Sequence, residues 1–326
     1  MSRRGLALFA AMSVIWGMPY LLIKIAVGGV PVSVLVLARV AIGAALLLPI
    51  ALRRGEFAAL RTVWRWVVLF AFVEIVLPWI VLSEAERSIS SSLTGLLIAS
   101  VPIIIALLGL LIGVSDRLSP ARWAGLLVGL CGVALLAGPN LVGSHATGAI
   151  ARSVGEVLFV ALCYAAGPLI ANRKLDGVPS VAVTAASLSV AAVVYAPLAA
   201  LDWPTSVPSA KVLLSIAGLA VICTAAAFLI FFRLISEVGP ARASVITYIN
   251  PAIAVSLGVA VLGERVTPTM LLAFGTILVG SVLATRRSGR PADATTQAEP
   301  PVGQPVPAVR AEVAPTSALL AEQDCG

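Results

Sequence analysis

Glu74, Arg39 and Lys24 are charged residues set inside long apolar runs. On insertion scales each costs roughly 2.5 to 3.5 kcal/mol at the centre of a span, so each needs a partner, a cavity or a task. Glu74 lies about 12 residues into its run. A carboxylate there suits proton coupling or cation binding, and equally a static ion pair with Arg39. Arg39 lies about 8 residues into the preceding run and carries a rigid fork of donors. That fork fits a substrate carboxylate, or else Glu74 or a set of backbone carbonyls. Lys24, near the end of its run, suits an ammonium that snorkels to the interface, and Lys174 suits an interfacial anchor.

Aromatic and hydroxyl groups accompany these charges. Trp16, Tyr20 and Tyr164 supply walls for a cavity, whereas Trp79 also fits an interfacial aromatic belt. Thr94, Tyr248 and Asn250 lie near Pro102 and Pro251. A proline inside a helix removes one backbone hydrogen bond and crowds the preceding turn, so these two positions are expected helix breaks that free polar backbone in mid-membrane. The substrate-binding candidates are therefore Trp16, Tyr20, Arg39, Glu74, Thr94, Tyr164, Tyr248 and Asn250, with Glu74 also the proton-coupling candidate.

The surrounding elements must be membrane helices. The chain is 60% hydrophobic and 11% charged, far from the roughly 25% charged of soluble domains. Spans of about 20 apolar residues are read near 5–27, 32–52, 62–82, 91–114, 120–138, 153–172, 179–199, 209–232, 240–262 and 268–285. Ser83-Glu84-Ala85-Glu86-Arg87 then falls in the loop after the third span. With the N-terminus inside, the Lys and Arg of the loops and tails up to Arg290 divide fifteen inside to four outside, which places both termini in the cytoplasm. The net charge of +7 is thus a topology signal and implies no nucleic-acid partner.

The sequence also repeats itself. Gly5, Phe9, Gly17 and Lys24 recur as Gly155, Phe159, Gly167 and Lys174, an offset of 150. Asp116, Arg117, Ser119 and Pro120 recur as Glu264, Arg265, Thr267 and Pro268, an offset of 148. Five spans per copy is an odd number, so the copies should lie upside down to one another, as in alternating-access carriers. The expected fold is all-α, with ten transmembrane helices in two inverted five-helix repeats at 1–139 and 148–287. A Pro-rich cytoplasmic tail over 288–326 lacks the apolar residues to order itself.

Trp16-Gly17, Arg39, Pro102, the turn from Gly113 to Pro120, Asn250-Pro251 and Gly263-Glu264-Arg265-Val266-Thr267-Pro268 together resemble the drug/metabolite transporter superfamily in its EamA branch. The resemblance covers residues 5–286. It implies a secondary carrier of the inner or plasma membrane, commonly an exporter of amino acids or other small metabolites, with no ATP-binding part of its own.

Competing classes find less support. The only histidine, His145, lies between the repeats, and no HExxH or GxSxG motif is present, so an enzyme lacks its groups. Cys131, Cys163, Cys223 and Cys325 show no paired spacing, and no metal or cofactor is implied. An importer, a uniporter, a channel or a scaffold stays open. The expected partners are a small-molecule substrate and the lipid bilayer. Gly109–Gly113 and Gly125–Gly129 have GxxxG spacing, which permits a homodimer without requiring one.

Overall fold

A peptide group in hydrocarbon finds no water to bond, so each apolar run settles its backbone by winding into a helix. The computed structural model describes residues 2–111, 120–141 and 148–285. The long helices are α1 (Arg3–Ala26), α2 (Val32–Arg53), α3 (Trp64–Ser88), α4 (Ser91–Leu111), α5 (Pro120–Leu141), α6 (Gly148–Lys174), α7 (Ser180–Leu201), α8 (Ala210–Val238), α9 (Ile246–Leu262) and α10 (Pro268–Thr285). Nine of the described helices are long and apolar enough to cross a bilayer, and the 17-residue α9 is the shorter tenth, preceded by the single turn Pro240–Ala243. No strand occurs among the described residues. The acidic turn with Asp116 and Arg117, His145 and the tail 288–326 lie outside them.

Two helices run about two turns past their expected ends: α8 continues to Val238, and α3 continues to Ser88. The segment Ser83–Arg87 is therefore not a loop. It forms the last turns of α3, because Trp79, Leu82, Ser83 and Glu86 recur at helical spacing on one buried stripe. A charged segment can extend a helix past the apolar run when its inward face is packed.

The breaks also differ in part from expectation. Helix α1 is interrupted at Met18, ahead of Pro19, and α4 at Ala99 and Ser100, ahead of Pro102. Pro102 thus sits in the first turn of the second half, where a missing N–H costs least. Pro251 breaks nothing: it lies inside a continuous α9, and the interruption falls earlier, at Ser244 and Val245. Helices α3 and α8 instead widen into π segments at Phe72–Val76 and Gly218–Ala226. Such widening displaces backbone carbonyls from their usual donors. The Tyr195 hydroxyl of α7 donates to the Val76 carbonyl, and the Thr224 hydroxyl donates to the Leu219 carbonyl at 2.8 Å.

The main helix pairings are α2 with α7, α5 with α10, α4 with α9, α3 with α6, α1 with α8, α4 with α6 and α1 with α9. Helix α2 also meets α8, and α3 meets α7. Exchanging each helix for the one five places away maps this set onto itself. Glycine permits a close approach between α5 and α10. There Gly125, Gly129 and Gly280 face one another with no room for a methyl group.

At one end of the bundle Lys174 Nζ lies 4.7 Å above the Trp66 ring, Ser2 Oγ donates to Glu237 at 2.7 Å, and Arg122 Nε donates to the Ala284 carbonyl at 3.0 Å. We call this the basic end, since Arg53, Arg54, Arg61, Arg65 and Arg173 belong to its turns and helix termini. At the opposite end lie the turns joining α1 to α2, α3 to α4, α7 to α8 and α9 to α10.

A methyl group at Gly280 would overlap the backbone of Gly129, whereas one at Gly275 meets nothing within 4 Å. Gly280→Ala should therefore cost about 1 to 3 kcal/mol through backbone displacement, while Gly275→Ala costs nothing. Thermal unfolding of the two purified variants compares them. Equal midpoints would mean that the α5–α10 contact is not tight.

Candidate substrate site

Arg39 is the centre of the buried polar cluster. It is 8% exposed, and α2 carries it against α3 and α8. Its guanidinium carbon sits 3.5 Å from the centroid of the Trp79 ring, and Nε donates to the Thr224 hydroxyl at 3.0 Å. Two neutral groups thus hold a buried cation, the ring by its negative face and the hydroxyl by a lone pair. Tyr164 of α6 lies close enough to Trp79, Arg39 and Glu74 to interact with all three. Tyr20 of α1 is buried close enough to Tyr164, Glu86 and Arg39 to feel their charge.

The expected ion pair between Arg39 and Glu74 is not made. Ion pairs among the described residues are Arg54–Glu56, Arg87–Glu84 and Arg152–Glu156. Glu74 turns instead toward α6, where its carboxylate fills the space a side chain at Gly167 would take, and its Oε2 is enclosed without a hydrogen-bond partner. The π segment explains the divergence. It holds Glu74 and winds more widely than an α-helix, so the carboxylate meets Gly167 while Arg39 goes to α8.

Of the eight candidates, Tyr20, Arg39, Glu74 and Tyr164 come together. The other four bond elsewhere. Trp16 packs on Phe231 and Phe228 of α8, with ring centroids 4.5 and 6.3 Å away. Thr94 donates to the Ser90 carbonyl at 3.0 Å, within its own helix. The Tyr248 hydroxyl lies 3.2 Å from that of Thr285, toward the basic end. With its amide nitrogen turned to the carbonyls, Asn250 donates to Ile246 at 2.9 Å and to Ser13 at 3.2 Å, tying α9 to α1.

Lys24 does not run free to the interface. Its ammonium donates to the carbonyls of Glu86 at 2.5 Å and Ile89 at 2.8 Å, closing the C-terminus of α3. The mirror arrangement stands beside it: Glu264 accepts from Ser91 N and Oγ at 2.8 and 2.9 Å and from Ser92 N and Oγ at 2.9 and 2.5 Å, closing the N-terminus of α4. Gly263, with φ of 66°, makes the left-handed turn that aims this carboxylate. Glu86, Thr224 and Ser91 escaped the sequence reading as site residues. The spacing of Glu86 from Trp79 was the available sign, since seven residues return a helix to nearly the same face.

Two cavities, of ≈ 840 and ≈ 830 Å³, open at the opposite end, around the turn from Val27 to Pro31. Glu84, Arg87, Asp202 and Trp203 line the first, and Lys24, Ser88, Ile89 and Glu264 line the second. Arg39 and Glu74 line neither.

Ten apolar helices with Arg39 and Glu86 buried among them define a multi-pass helical membrane protein with ionisable groups in its interior. More particularly, the chain belongs to the EamA-like transporter family, whose pattern matches residues 3–138 and 154–286. It is 29% identical over 282 residues to YedA of Escherichia coli strain K12, an uncharacterized inner membrane transporter, across 86% of this chain and 89% of that protein. The YedA of Escherichia coli O157:H7 matches with the same identity and coverage. A solved crystal structure aligns with a TM-score of 0.62 at 22% identity, covering 86% of this chain and 96% of the other, a likeness of fold.

The Glu264 contact carries a pH dependence. Burial pushes its carboxyl upward, but the bonds from Ser92 and Ser91 outweigh burial and hold it below its ordinary value of 4.5. A lowered folded value means the contact stabilises fully above pH 4.5 and is lost as pH falls through that lower value. Glu264→Gln should lower the thermal midpoint at neutral pH, and the gap to wild type should close in acid. A gap that stays constant with pH would contradict this account.

Proposed function

We propose that this family member is a secondary carrier that moves a small metabolite, such as an amino acid, out of the cell by alternating access. Its halves, residues 1–139 and 148–287, are inverted five-helix repeats. The basic end, with both termini, faces the cytoplasm, in line with the excess of Lys and Arg on its turns. The carrying observation is that the enclosed polar contacts join the two matched segments: Arg39 of one binds Thr224 of the other, and Glu74 of one packs on Gly167 of the other. Relative motion of the segments must remake these contacts, which is what couples a bound solute to the change of access.

Solute binds beside Arg39, Tyr20 and Tyr164. Arg39 keeps its Nη donors clear of carboxylates, and the two tyrosines flank it. Glu74, at a joint where the helix already departs from α geometry, exchanges a proton as the halves rearrange. A solute-free cycle that returned a charged Glu74 through hydrocarbon would be slow, so protonation permits the return.

The test uses the purified full chain in proteoliposomes. Glu74→Gln should abolish accumulation of labelled amino acid driven by a pH gradient while keeping exchange of internal for external solute at equal pH. Retained gradient-driven accumulation would remove Glu74 from the coupling step. Flux without saturation would favour a channel.

A further inference from the structure

Glu86 has no part in the scheme above, yet it is wholly buried and neither of its carboxylate oxygens has a hydrogen-bond partner. An unpaired buried carboxylate weakens a fold, and proteins keep such groups where a ligand completes them. The charged and titratable groups facing it are Lys24 and Tyr20 from α1, Arg39 from α2 and Glu264 from the turn between α9 and α10. Both cations are engaged elsewhere. The Lys24 ammonium lies on the main-chain carbonyls of Glu86 and Ile89, and Arg39 lies on Trp79 and Thr224. Two cations and one anion therefore lie near the Glu86 carboxyl while no donor reaches its oxygens.

Glu86, Tyr20 and Arg39 line neither cavity, but both cavities open on the turns that carry Glu86. The last turns of α3 border both cavities: Glu84 and Arg87 line the first, and Ser88 and Ile89 line the second. Glu86 occupies the inward face of the same turns. Lys24 touches both the second cavity and the Glu86 main chain, so an ammonium already rests at this point in the solute-free protein.

We propose that Glu86 is the anionic pole of the solute site and accepts the ammonium group of the transported molecule. Tyr20 lies beside it, and Arg39 stands across the cluster for an acidic group. The inference rests on the carrier reading and narrows its substrate to small molecules bearing an ammonium, whether zwitterions or simple organic cations. The ammonium N–H groups complete the two open oxygens, and Lys24 is their internal competitor. A neutral or purely anionic solute leaves Glu86 unpaired and gains nothing from it.

Binding to the full-length protein in detergent, followed by tryptophan fluorescence, tests this with three probes of like body: phenethylammonium, phenylalanine and phenylpropionate. The first two should bind saturably and the third weakly or not at all. Glu86→Gln should weaken the first two about 30-fold or more, the scale of losing one member of a buried charge pair. Glu86→Asp should restore part of the loss. The unliganded Glu86→Gln protein should melt no lower than wild type, because an unpaired charge has been removed. A lower midpoint would mark Glu86 as a structural partner and overturn the inference. Absent binding of both ammonium probes, or binding unchanged by Glu86→Gln, would overturn it too. Saturable, gradient-driven flux of any solute in proteoliposomes would leave the carrier reading standing in each of those cases.

Discussion

Nothing inside a bilayer except the protein itself can bond a peptide group, and the arrangement of this chain follows from that scarcity of partners. Where a helix winds regularly the condition is met locally. Where it does not, a side chain from elsewhere takes over: Tyr195 serves the carbonyl of Val76, Asn250 reaches the carbonyl of Ser13, and Lys24 and Glu264 close two facing helix ends. Most polar side chains that the apolar runs carry are therefore occupied with backbone. Among the acids inside the helices, Glu74 and Glu86 stand out because their enclosed oxygens serve no such purpose.

Charge follows the same economy. Arg39 is held without any carboxylate, by the face of an indole and a hydroxyl, and a cation so held keeps its remaining donors for something else. Neither Glu74 nor Glu86 pairs with that cation, so three ionisable groups stand apart within one cluster of helices. A fold built for stability alone would have paired them.

The helices themselves were legible, because composition and run length decide them once the solvent is lipid. The internal repeat was legible too, and the helix pairings fall into a pattern that respects it. What escaped were matters of winding. A π segment has no strong sequence mark, yet it turned Glu74 away from Arg39 and toward Gly167. Glu86 escaped because hydropathy ended α3 at the last apolar residue, while packing continued it through Glu84 and Arg87. Pro251 misled in the other direction, since α9 tolerates it and breaks at Ser244 without a proline.

Gly167 and Glu74 occupy one volume. Any side chain at position 167 would evict the carboxylate from the space it fills against α6, and with a smaller residue at 74 that space would stand empty. Neither position can change alone without damage, so descent should alter them as a unit: related chains that lack the acid are free to carry a larger residue opposite, and those that keep the acid must keep the glycine.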